Sequence, residues 1–266
     1  MKIVVIGECC TDIFEYGVCT RLNPEAPTPV FVSSRKVTNY GMAGNVVQNL
    51  KSLDFADIHP YYQLSDGEIL KHRIVDESSN YILLRIDNDG TPSPIVFNDY
   101  MLDRIKDADA VIVSDYDKGY LNVKALKTIA WNAKLSFLDT KKPLGNWAEK
   151  FTWIKINKKE FDSPAHDRTF INKNLNKIVV TLGGKGAMIA DKFYSGYESE
   201  VKDVVGAGDS FLAAFAAGIL VTNGNIDKSI EFANLSGSKV VKKKGVADLT
   251  DAKPEFLYLK DGIHYL

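Results

Sequence analysis

The segment Asp203-Val204-Val205-Gly206-Ala207-Gly208-Asp209-Ser210-Phe211 holds the residue types that phosphoryl chemistry needs. Two glycines flank an alanine just ahead of an apolar helical stretch, so successive backbone N–H groups can point at one spot. The helix N-terminus adds its positive dipole end there, which makes an anion site. A carboxylate at that spot competes with an incoming phosphate if it does nothing more than cap the helix. Asp209 makes sense as a general base, taking a proton from a hydroxyl while the amides stabilise charge on a group in transfer. Read alone, the residues also fit a plain glycine turn with an Asp N-cap.

Other sites of phosphate chemistry are excluded. No G-x-x-x-x-G-K-[ST] occurs, so the P-loop is out. Gly206-Ala207-Gly208 lacks the third glycine of a dinucleotide fingerprint and lies far from the first strand. The three cysteines, Cys9, Cys10 and Cys19, have no CxxC or His pairing at zinc spacing and read as reduced core thiols.

The elements that must position these residues alternate between short apolar runs and amphipathic stretches. Strands are predicted at Ile3–Ile6, Ala110–Val113, Leu135–Leu138, Thr152–Ile156 and Lys177–Thr181. Helices are predicted at Gly44–Leu53, Val123–Ala133 and Gly145–Lys150. Continuous apolar strands with helical crossovers make an α/β fold, a doubly wound and mainly parallel sheet with helices on both faces. The last third is helical. Asp209–Val221 is apolar nearly all round, and Ile226–Lys242 closes on Lys242-Lys243-Lys244 with Gly245 as its C′ residue.

Two regions break this rhythm. Residues 13–37 carry Pro24, Pro27 and Pro29 among short β-like runs, and residues 71–87 read as two strands around Ser78-Ser79-Asn80. Together they predict a small β lid over the strand ends, within a single domain spanning 1–266. A pair of irregular surface hairpins fits the same residues.

At 266 residues with 45% hydrophobic and 25% charged residues, the chain can bury a core without disulfides or metal. Disordered, collagenous and coiled-coil classes are excluded. Lys and Arg total 33 against 34 Asp and Glu, so no basic excess points to nucleic acid. No apolar run reaches the length of a membrane span, and the opening Ile3–Ile6 run is too short for a signal peptide, so a cytoplasmic location is expected.

The nine-residue string 203–211 resembles the C-terminal signature of the ribokinase-like (pfkB) sugar kinases, and the resemblance runs from residue 2 to about residue 250. It implies Asp209 as catalytic base, Gly206-Ala207-Gly208 as the anion hole, and Asp203 as a contributor to a monovalent cation site for K⁺. Gly41-Met42-Ala43-Gly44-Asn45 resembles the N-terminal signature, with Met42 in place of the usual second glycine. It implies Gly41 and Asn45, with Asp12, as sugar-binding residues. Asn157-Lys158-Lys159-Glu160 resembles the N-x-x-E motif of Mg²⁺ and phosphate, with Glu160 acting on the metal through water. Thr181, Gly183 and Gly186, in the run 181–186, resemble the strand and turn along ATP, and Asn234 a position near the adenine. Read singly, Asn157 and Glu160 also fit an exposed helix start, Asp12 a turn, and Gly183–Gly186 an ordinary hairpin.

Within the family, Thr20–Val30, Ser114–Gly119 and Asp139–Pro143 resemble the kinase modules that phosphorylate D-glycero-D-manno-heptose 7-phosphate at O1. A phosphorylated acceptor wants cations near the lid, for which Arg21, Lys118, Lys141 and Lys142 are candidates. Ile13 replaces the basic residue usual after the aspartate, the chain between Leu53 and Lys71 is short, and no H-x-G-H of an adenylyltransferase occurs. The resemblance thus implies an ATP- and Mg²⁺-dependent sugar kinase. A non-catalytic sugar or nucleotide sensor of the same fold, motivated by Met42 and the short 53–71 segment, and a nucleoside kinase are the alternatives. Apolar edge positions such as Val30 and Val32 imply a homodimer through the lid.

Overall fold

In a computed structural model describing residues 1–63 and 68–262, the apolar runs form one eight-stranded sheet. Its strands are β1 (Lys2–Gly7), β4 (Asp57–Tyr61), β7 (Ala110–Asp115), β8 (Ser136–Thr140), β9 (Trp153–Asn157), β10 (Ile178–Thr181), β11 (Gly186–Ile189) and β12 (Lys192–Ser195). The spatial order is β12-β11-β10-β9-β8-β7-β1-β4. All neighbours from β10 to β4 are parallel, and β10-β11-β12 is an antiparallel meander at the other edge. β4 takes the edge beside β1 within the short segment 53–71, of which residues 64–67 lie outside the described residues.

Both faces of the central strands are buried, which is why their sequences are apolar without alternation. Ile3 and Val5 of β1 face a core completed by α1 (Ala43–Ser52), α6 (Ala207–Val221), α7 (Ile226–Val240) and α8 (Lys253–Lys260). Val4 and Ile6 face the opposite core with α2 (Asp99–Asp107), α3 (Val123–Asn132) and α5 (Arg168–Asn174). The doubly wound architecture is as expected from the sequence. In α6 every residue from Asp209 to Ile219 is buried, and Phe215 meets Phe137 and Trp153 edge to face at 5.7 and 5.5 Å.

The two irregular regions form a second sheet, ordered β3-β2-β5-β6, from β2 (Cys9–Leu22), β3 (Pro29–Met42), β5 (Ile69–Asp76) and β6 (Ile82–Asn88). β2 begins two residues after β1 and β3 runs into α1, so this sheet grows from the main sheet's own strand ends. Burial alternates along β2, with Cys10, Asp12, Phe14 and Tyr16 turned inward.

Two predicted helical features differ. Gly145–Lys150 forms only a single 3₁₀ turn at Asn146–Ala148, too short a stretch before the chain must enter β9. The helix over 226–242 ends at Val240 with Val241 as its cap. Gly245, at φ 74°, belongs to a following loop, where its N–H donates to Asp203 Oδ2 at 3.0 Å. All three cysteines are free, and burial raises the thiol of Cys9 to about 11 and that of Cys10 further still.

Candidate active site

Parallel strands all end on one edge of a sheet, and there the polar residues gather. Glu8 follows β1, Asp115 ends β7 and Tyr116 follows it, Asp139 lies near the end of β8, and Lys155 and Asn157 end β9. α6 points its N-terminus at this edge. Its first intrahelical bond runs from Ser210 N to Gly206 O, which leaves the N–H groups of Gly208 and Asp209 directed out of the helix. Ala207 N instead turns back to Val204 O at 3.3 Å, so the anion hole opens on Gly208 and Asp209.

Asp209 is 4% exposed. Its Oδ1 accepts from the Tyr116 hydroxyl at 2.9 Å and its Oδ2 from Asn45 Nδ2 at 3.3 Å. Burial first, and the Asp139 carboxylate second, push the Asp209 carboxyl up to about 6, against the pull of Lys155, Tyr116 and Asn45. A carboxylate poised there takes up a proton near neutral pH. Asn45 also donates to Gly206 O at 3.3 Å, and Asn49 Nδ2 holds the Asn45 Oδ1 at 2.9 Å. Gly206 sits at φ 76°, and a Cβ there would stand 2.5 Å from Asn45 Nδ2.

Lys155 is a buried cation on an otherwise apolar strand. It pairs with Asp139 at 2.7 Å, and its Nζ lies 3.0 Å from where a Cβ on Gly208 would stand. The ammonium therefore sits beside the anion hole. Lys141 pairs with Glu160, whose carboxylate also closes a capping box with Asn157 at the start of α4 (Lys158–Phe161). Asn157 and Glu160 thus do form a helix start, half-buried rather than exposed, in a helix of only four residues.

A cavity of about 350 Å³ lies beside these groups. Its walls include Asn157, Thr181, Gly183, Gly186 and Asn234, the five positions matched to ATP, together with Ala207, Gly208, Lys155 and Tyr116. Asn234 ties α7 to β12 by donating to Tyr194 O and Ser195 O, both at 3.1 Å.

Asp12 and Gly41 come together within the small sheet, on β2 and β3, while Asn45 lies on α1 and reaches Gly206 and Asp209. Asp12 is buried and ion-paired with Arg73 of β5, and Cys10 Sγ approaches its Oδ2 at 3.5 Å. Gly41 is a close-approach position, because a Cβ there would lie 2.1 Å from Asp12 Oδ2. Met42 keeps a glycine-like backbone at φ 56°, ψ −131°, with its side chain buried against Cys10 and Ile69. Packing thus offsets the strain that glycine would avoid.

The cations singled out for a substrate phosphate fare differently. Lys142 is held by Asp115 and Asp117, at 2.9 and 2.6 Å, Lys118 by Asp89 at 2.7 Å, and Arg21 is exposed near the outer end of β2. Lys71 is the residue that sequence reasoning missed. Paired in register with Asp12, it makes no ion pair among the described residues and holds its Nζ 5.2 Å from the Tyr116 ring centre. Arg73, Lys155 and Glu8 were also missed, although a charge inside an apolar strand, as at Ile154-Lys155-Ile156, is a readable signal. Asp203, matched to a cation site, has both oxygens committed to the N–H groups of Val205 and Gly245, each at 3.0 Å.

Residues 97–253 match the family model described as pfkB family carbohydrate kinase. The chain belongs to this family. Among curated relatives, the bifunctional protein HldE of Campylobacter jejuni subsp. doylei is 31% identical over 289 residues, covering 92% of this chain and 62% of that protein. The HldE of Helicobacter pylori is 29% identical over 301 residues, covering 92% and 64%. The pfkB-family chain thus spans under two thirds of the length of these relatives. Ribokinase from Arabidopsis thaliana, solved with ribose and ATP, superposes with a TM-score of 0.68 at 17% identity, covering 96% and 98% of the two chains. Thermotoga maritima ribokinase gives 0.70 at 14%, covering 97% and 99%. These structures share the fold of this pfkB-family member.

Proposed function

We propose that this carbohydrate kinase transfers the γ-phosphate of ATP to a hydroxyl of a phosphorylated sugar, with D-glycero-D-manno-heptose 7-phosphate the leading acceptor. The observation that carries the reading is the position of Asp209. It lies at the mouth of α6, bonded to Asn45 of α1 and to Tyr116, which lines the cavity.

In this reading ATP occupies the cavity, with its adenine toward Asn234 and its phosphates toward Gly183, Gly186 and the α6 N-terminus. The acceptor lies against Asp12, Gly41 and Asn45. Asp209 takes the proton of the attacking hydroxyl, while the Gly208 and Asp209 amides and the Lys155 ammonium stabilise the phosphoryl group in transfer. Mg²⁺, when bound, would neutralise phosphate charge beside Asn157 at the cavity wall, and Glu160 would hold it only through water, because its two oxygens accept from Lys141 and from Asn157 N. Asp203 fits a tie between two loops better than a ligand for K⁺, because both its oxygens accept backbone N–H groups. The small sheet serves as a lid that excludes water from the acceptor side. Lys71 is the cation best placed for the acceptor's own phosphate, since Lys118, Lys141 and Lys142 are already paired and Arg21 lies out near the end of β2.

The test is ADP release with Mg·ATP and a panel of sugars and sugar phosphates, run beside Asp209→Asn. Turnover on one acceptor that is lost in the variant names the substrate. Equal turnover in Asp209→Asn overturns the assignment of the base.

A further inference from the structure

Asp209 is held by more than its own helix. Tyr116, on the loop after β7, donates its hydroxyl to Asp209 Oδ1 at 2.9 Å. The backbone of Tyr116 is itself fixed, because its N–H donates to Glu8 Oε2 at 2.8 Å. Glu8 is fully buried and also accepts from Lys118 N and Tyr120 N, at 3.2 and 3.3 Å, so one carboxylate gathers the whole 116–120 loop. The ammonium groups of Lys71 and Lys141 stand 5.2 and 5.3 Å from the centre of the Tyr116 ring. The ring therefore has a cation from the acceptor side and one from the cavity side.

We infer that Tyr116 is a positioning residue for the phosphoryl-transfer step, aiming Asp209 Oδ1 at the acceptor hydroxyl and setting its affinity for the proton. The inference rests on Asp209 being the base. Every element packed against Asp209 contributes a group: Asn45 from α1, Asp139 from β8, Lys155 from β9, with Lys141 farther out. Asp139 favours the protonated carboxyl, whereas Lys155, Tyr116 and Asn45 favour the carboxylate. Burial beside Asp209 and Asp139 raises the phenol of Tyr116 well above its ordinary value, so it donates throughout the working pH range. A neutral donor lowers the proton affinity of a carboxylate without neutralising it, which a lysine in the same place would do.

The experiment follows the ¹³C carboxyl titration of Asp209 in the whole protein, assigned by its absence in Asp209→Asn. The expected midpoint is about 6 in the unsubstituted chain. In Tyr116→Phe it should rise by about one pH unit, with kcat/KM for the acceptor down about tenfold and its acidic limb shifted the same way. Replacing Tyr116 by 3-fluorotyrosine, a stronger donor of the same shape, should move the midpoint downward, and this arm decides if Tyr116→Phe does not fold. A side chain that only fills space would leave the midpoint still. An unmoved midpoint in both substituted proteins overturns the inference while leaving the base assignment intact. Full activity in Asp209→Asn overturns the base assignment and the inference with it.

Discussion

The carboxylate of Asp12 and the guanidinium of Arg73 form an ion pair across the parallel strands β2 and β5, both side chains nearly closed to solvent. Arg73 stands opposite Phe14 in register and lies over its ring at 4.9 Å, so it reaches back along the strand to Asp12. Its effect is to fix that carboxylate in place between the two strands. Arg73→Met should leave a buried charge unpaired, costing about 3–5 kcal/mol in urea unfolding. It should raise KM for the acceptor more than tenfold while KM for ATP stays within twofold.

Asp209 gives a stability prediction with a definite sign. Its carboxyl is raised to about 6 in the folded protein from an ordinary 3.8. The folded state therefore binds the proton more tightly than the unfolded chain, and stability falls as pH rises between those values. Asp209→Asn should be more stable than the unsubstituted chain above about pH 6, by roughly 1–3 kcal/mol, and the difference should vanish toward pH 4. Thermal unfolding across pH measures it. Activity should run the opposite way, falling as pH drops through about 6.

At Gly206 a methyl group would meet Asn45 Nδ2 at 2.5 Å from a left-handed backbone. Gly206→Ala should cost about 1–2 kcal/mol in stability. The larger loss should be in kcat, about a hundredfold, because Asn45 must move and takes Asp209 Oδ2 with it. Steady-state kinetics with both substrates separate this from a change in ATP binding.

Lys71 separates acceptor classes. In Lys71→Met the kcat/KM for a phosphorylated sugar should fall about tenfold or more, with little change for the same sugar lacking phosphate. Equal losses on both would remove Lys71 from phosphate recognition.

On the small sheet, Ile82, Leu84 and Ile86 are each more than half exposed along the edge strand β6, so that edge presents apolar side chains to solvent. We propose that a second copy covers it. Light scattering should give a dimer, and Leu84→Glu should give a monomer.

The sheet and its two helical layers could be read from the chain because the signals are local. An unbroken run such as Ile3-Val4-Val5-Ile6 needs burial on both faces, and the alanine-rich stretch after Asp209 can only be an interior helix. The glycines of 206–208 announce a helix start open to an anion, since backbone conformation and helix dipole follow from neighbouring residues. Gly145–Lys150 failed as a helix for the converse reason. Its amphipathic pattern is real, but the chain between β8 and β9 leaves room for one turn.

What tertiary structure alone decided is which charges face one another. Lys118, Lys141, Lys142 and Lys71 look alike in sequence, yet Asp89, Glu160 and Asp115 engage the first three and leave the last beside Tyr116. Asp12 meets Arg73, and Asp209 meets Tyr116 and Asn45, across 61, 93 and 164 residues of chain. The proton affinity of Asp209 depends on burial and on Asp139, neither of which a local pattern encodes. Electrostatic energy falls with distance in space and rises as water is removed, and both quantities exist only once the strands are side by side.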